Sequence, residues 1–129
     1  MKYGHETVVE GKFDEIVDRT KAALAQRGFG VLTEIDVAAT LKKKIGVEME
    51  PYLILGACNP TFAHQALQRE PDLGLLLPCN VVVMQKAGKT YVKAIDAAAM
   101  LGVTGNTELV GVAGEVDSQL KATLQALTS

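Results

Sequence analysis

Two short segments hold the only cysteines of the chain, Gly56-Ala57-Cys58-Asn59-Pro60 and Leu77-Pro78-Cys79-Asn80-Val81. In each, asparagine follows cysteine and a proline lies within two positions. Cys58 is expected at the end of a strand, just before an asparagine N-cap with proline at the first helical position. Unpaired amides and the positive dipole end of that helix favour a thiolate. The same geometry suits an anion. The plainer reading is a small apolar residue buried at a strand end. That reading is stronger for Cys79, which shares a strand face with Val81 and Val83. Capping accounts for Asn59. Asn80 sits in an apolar strand, where an unpaired amide is costly, so it is expected to meet a partner or face a pocket.

Other residues offer weaker chemistry. Glu34 and Asp36 lie two apart on one strand face, a spacing that suits acid–base work or a cation. More often such a pair is a solvent face, or Asp36 caps the next helix. His64 falls one turn into the helix after Cys58, close enough for a Cys/His pair, yet Cys58-x5-His64 matches no metal signature. A solvated His64 is the simpler expectation. The other histidine is His5. Gly102 and Gly105-Asn106 precede the last helix, but no P-loop lysine or dinucleotide fingerprint accompanies them. Lys42-Lys43-Lys44 reads as a solvated helix face.

The elements that must position these residues follow from periodicity. Tyr3–Glu10 reads as a strand. Phe13, Ile16, Val17, Thr20 and Leu24 recur at helical spacing through Arg27, with Gly28 as the C-cap. Gly30–Val37 alternates as a strand, with Val31, Thr33, Ile35 and Val37 on one face. A short helix over 38–45 ends at Gly46. The apolar run from Tyr52 to Ala57 reads as a central strand, and a helix follows to Arg69. Leu75–Gln85 reads as a strand interrupted by Pro78. Ala87-Gly88 turns it into a hairpin with Thr90–Ile95. Asp96 caps a short turn through Met100. The last helix carries the stripe Leu109, Val112, Ala113, Val116, Leu120, Thr123, Leu124 and Leu127. This order predicts one α+β domain over residues 1–129, with a largely antiparallel sheet covered by helices.

Composition narrows the function. The 129 residues are 48% hydrophobic and 22% charged, which predicts a folded chain rather than a disordered one. The net charge of −2 argues against a nucleic-acid partner. No apolar run reaches the ~20 residues of a membrane span. Met1–Glu6 lacks the apolar core of a secretory leader. Two cysteines in such a chain suggest a cytoplasmic protein with reduced thiols, where a Cys58–Cys79 disulfide is disfavoured.

The segments 28–37, 54–60 and 74–83, with Ala94-Ile95-Asp96, Met100 and Gly105-Asn106, closely resemble the bacterial and archaeal family called domain of unknown function 302. The likeness runs the whole chain. It implies a curved antiparallel sheet backed by helices, similar to the TATA-binding-protein-like β-α-β4-α arrangement with an inserted helix, and a homodimer. It brings no established activity, so no catalytic residue is carried over, and no cofactor is implied. Glu34, Asp36, Cys58, Asn59, Pro60, Pro78, Cys79 and Asn80 transfer as pocket or framework residues only. Thr107 stands where the family often has proline, and His64 where a larger aromatic is common. The leading expectation is a dimeric module binding a small molecule or ion near the two Cys-Asn segments, lined by Glu34, Asp36, Cys58, Asn59, Cys79 and Asn80. The alternative is a thiol enzyme or redox sensor using Cys58 with Cys79. A third reading is an interaction protein, with Gly74–Pro78 as a subunit contact.

Overall fold

Alternating and helical patterns resolve, in a computed structural model describing residues 1–128, into five strands and five helices. In chain order they are β1 (Gly4–Val9), α1 (Phe13–Gln26), β2 (Gly30–Asp36), α2 (Val37–Ile45), β3 (Tyr52–Cys58) and α3 (Pro60–Arg69). A 3-10 segment (Pro71–Leu76) leads to β4 (Cys79–Lys86), β5 (Lys89–Ile95) and α4 (Ala97–Gly102). A second 3-10 turn (Thr107–Leu109) then runs into α5 (Val110–Ala126). The sheet order is β1-β5-β4-β3-β2, and every neighbouring pair is antiparallel. The chain is thus the α+β fold its sequence predicts. No helix among the described residues is long and apolar enough to cross a membrane.

Strand alternation decides which face is covered. Leu55, Ala57, Cys79, Val81, Val83, Val92 and Ala94 share one core with Ile16, Val17 and Leu24 of α1 and Val116, Leu120 and Leu124 of α5. The opposite face is open, and Val8 and Ile35 on it are about half exposed at 46% and 49%. A second, smaller cluster joins Ala66 of α3, Leu73, Leu101 of α4, Leu109 and Ala113 of α5. The apolar stripe expected for the last helix is therefore shared between two clusters, and this division matters for the site.

Local rules explain most boundaries. Asp36 caps α2 by accepting the Ala39 N–H at 2.9 Å, and Asp96 caps α4 through the Ala99 N–H at 2.9 Å. Ala87 and Gly88 both have positive φ, the requirement of a two-residue type I′ hairpin.

Three expectations are corrected. A bulge between Val31 and Thr33 breaks the uniform alternation of β2: Val31 pairs with Ala57 and Thr33 with Gly56, so they face opposite sides. β4 begins at Cys79 rather than Leu75, because Pro71 opens a 3-10 segment that takes in Leu75 and Leu76. The C-cap of α1 is Arg27, and Gly28 follows it with φ 83°.

Candidate functional site

A cavity of about 340 Å³ opens where the two apolar clusters meet, between the ends of β3 and β4 and helices α3, α4 and α5. Phe29, Ala57 and Val116 reach it from the main core. Ala66, Leu73 and Leu101 reach it from the smaller cluster, and Phe62, Leu67, Leu77, Pro78, Met100 and Val112 extend the wall. Among the described residues, the polar members of the lining are only Thr33, Cys58, Asn59 and Cys79. Folding therefore brings the two cysteine segments to one hollow.

The chain reaches this arrangement through close backbone approaches. Asn59 caps α3, accepting the Phe62 N–H at 3.2 Å, with Pro60 in the first turn. Gly28 passes directly over that cap: a Cβ there would meet Asn59 Nδ2 at 2.9 Å, and φ of 83° already favours glycine. Gly56 is tighter still. A Cβ on it would run into the Thr33 hydroxyl and lie 2.8 Å from the Pro78 ring. Glycine at 56 thus lets Thr33 and Pro78 close together at the cavity's edge.

The two thiols differ in environment. Cys58, last in β3, is half-buried, and Cys79, first in β4, is buried; both are free. Ala57 is the cross-strand partner of Cys79, so Cys58 stands one residue beyond it. Burial pushes the Cys79 thiol up to about 11, helped by the negative charge Cys58 can carry and by Asp117. At neutral pH Cys79 is a protonated thiol and a poor nucleophile.

The remaining sequence-selected residues lie elsewhere. Glu34 and Asp36 stand apart from the cavity: Glu34 pairs with Lys21 of α1 at 2.6 Å, and Asp36 is occupied as the cap of α2. Asp36 instead borders a separate, more open depression of about 480 Å³ with Phe13, Lys42, Glu48 and Tyr52. Asn80 is exposed on the open sheet face, beside Tyr3, Tyr52, Val82 and Lys93. The expected cost of an unpaired amide does not arise there, because water satisfies it. His64 is exposed on α3 and does not line the cavity.

One cluster escaped the sequence reading. His5 of β1 places Nε2 2.8 Å from Asp117 Oδ1 of α5 and 3.9 Å from Asp96 Oδ2. Asp117 Oδ1 also accepts the Ala97 N–H at 3.0 Å, and Lys121 Nζ lies 3.4 Å from Oδ2. Burial alone would raise the Asp117 carboxyl. The hydrogen bonds from His5 and Ala97, with the charges of His5 and Lys121, outweigh it and hold the group below its ordinary range. Three ligand-type atoms of His5, Asp96 and Asp117 lie within 4.8 Å of one another and could hold a metal ion. Their mutual bonds already give them a structural task, tying β1 to the start of α4 and to α5. The available signal was an acid at a core-facing position of the last helix, four residues after Ala113 and three before Leu120.

Comparison with known proteins places this geometry. The chain is similar to the crystal structure of an uncharacterized conserved DUF302 protein from Bacillus stearothermophilus, with a TM-score of 0.91 and 29% identity over 97% of this chain and 98% of that one. No curated protein matches the chain. The model of the family described as "Domain of unknown function DUF302" matches residues 5–127, so nearly the whole chain is accounted for, and the protein belongs to the DUF302 family.

Proposed function

We propose that this domain binds a small, mainly apolar molecule in the cavity beside Cys58, Asn59 and Cys79. The observation that carries the reading is a hollow of about 340 Å³ walled by aliphatic and aromatic side chains, with a few polar groups at one end. That is the size and chemistry of small-molecule sites. The wall argues for a molecule rather than an ion, since an ion would lose its hydration without gaining charged partners. Glu34, Asp36 and Asn80 are not part of this proposal, because they lie outside the cavity.

Titration with the apolar fluorophore N-phenyl-1-naphthylamine tests the reading. Saturable binding is expected, weakened at least tenfold by Ala66→Phe, which fills the hollow, and by Leu67→Arg at its rim. Ala66 is buried and Leu67 is 37% exposed, so the second variant keeps the test valid where the first disturbs folding. No saturable binding, or binding unchanged in both folded variants, overturns it.

A cytoplasmic homodimer belongs to the same proposal. What supports self-association is the uncovered sheet face bearing Val8, Ile35, Ile54, Val82 and Met84. A monomeric mass by sedimentation at micromolar concentration would refute it. What supports the compartment is the pair of free thiols.

A further inference from the structure

Two thiols in one cavity wall offer chemistry that ligand binding does not use. Cys79 is 7% exposed and lines the cavity, and among the described residues its thiol makes no side-chain hydrogen bond. Cys58 lines the same cavity and is half-buried, open to a small oxidant. The register brings their backbones close. Ala57 lies opposite Cys79, and Cys58 is one residue further along β3. Facing residues sit roughly 5 Å apart and one strand step is about 3.3 Å, which puts the two Cα atoms about 6 Å apart. Disulfides span roughly 4.4–6.8 Å between Cα atoms. Strict alternation would turn neighbouring side chains to opposite faces. Cys58, however, is the last residue of its strand, and the chain leaves the sheet at Asn59, so both side chains reach the same hollow.

We propose that Cys58 and Cys79 are a reversible dithiol–disulfide site in the cavity wall, oxidised by a peroxide. The Cys58 thiol gives its proton to solvent, and the thiolate attacks one peroxide oxygen. A sulfur–oxygen bond forms, the oxygen–oxygen bond breaks, and hydroxide leaves as water on taking up a proton. The sulfur of Cys79 then attacks the sulfenic sulfur of Cys58. The sulfur–sulfur bond forms, the sulfur–oxygen bond breaks, and the departing hydroxide takes the Cys79 proton as a second water. Two thiols and one hydrogen peroxide give one disulfide and two waters, and a dithiol reductant reverses the change. The high thiol pKa of Cys79 makes the second step the slow one at neutral pH, so closure accelerates as pH rises toward that value.

Intact-mass analysis of the reduced native protein after exposure to hydrogen peroxide tests this, and its readout does not require the cavity to bind any ligand. The expected product is a single chain lighter by two hydrogen atoms, with a Cys58–Cys79 cross-link in its peptide map, restored by dithiothreitol. Cys58→Ser should abolish that loss. Cys79→Ala should leave a Cys58 sulfenic acid that dimedone traps. Oxygen addition at Cys58 with Cys79 still a free thiol in the wild type, a disulfide between two chains, or two unreacted thiols would each overturn the proposal.

Discussion

Replacing Cys79 with alanine tests how the fold treats a buried thiol. Burial, with the neighbouring charges of Cys58 and Asp117, raises this group from 9.0 to about 11. The fold therefore favours the neutral thiol. Its contribution is fully present below pH 9 and is lost as pH rises from there toward 11, because the unfolded chain ionises first. Two units of difference correspond to about 3 kcal/mol in full, and to about 2 kcal/mol at pH 10.5. Urea unfolding under a phosphine reductant, at pH 7 and at pH 10.5, reads this directly. Wild type should lose about 2 kcal/mol more than Cys79→Ala between the two conditions, a midpoint change of about 1 M. Lysine and tyrosine titrations are common to both proteins and cancel. The truncation itself costs a roughly constant amount at both pH values. Parallel losses in the two proteins would show that Cys79 ionises normally, and would refute the argument that burial controls it.

Further outcomes follow from other residues. Gly56→Ala should destabilise by about 1–3 kcal/mol in thermal unfolding, because its Cβ enters the space of Thr33 and Pro78; adding Thr33→Ala should recover part of the loss. Asp117→Asn should cost about 1–3 kcal/mol by weakening its bonds to His5 and the Ala97 N–H. Asp117 is held below the usual carboxylate range, so its stabilisation is present above about pH 4 and is lost as pH falls through its folded value; the asparagine variant should lack this part of the acid limb in urea titrations. Asp36→Ala should remove the α2 cap at a cost of about 1 kcal/mol by denaturant melts, yet leave N-phenyl-1-naphthylamine binding unchanged because Asp36 lies outside the cavity.

Local pattern was sufficient for the elements. The stripe from Leu109 to Leu127, the Asn59-Pro60 start of α3, the Asp36 and Asp96 caps and the Ala87-Gly88 turn are each set by residues within a few positions, and each is legible in the chain. Where the reading failed, a distant contact had overruled a local signal. The period of β2 shifts at a bulge that pairing with β3 reveals, and Leu75 and Leu76 join a 3-10 segment packed against α3. Asn80 could not be told from a pocket residue until the sheet's open face was known.

The sequence by itself determined that the only two cysteines lie in matching segments, each followed by asparagine with a proline within two positions, and that Asn59-Pro60 opens a helix. Only the tertiary structure decided that Cys58, Asn59 and Cys79 share an apolar hollow, that Glu34 and Asp36 stand apart from it, and that His5 meets Asp117 across 112 residues. The physical reason is range. Caps and turns are closed by backbone groups a few residues away, whereas a cavity is the space left where separate elements fail to fill one another, and no local pattern encodes that space.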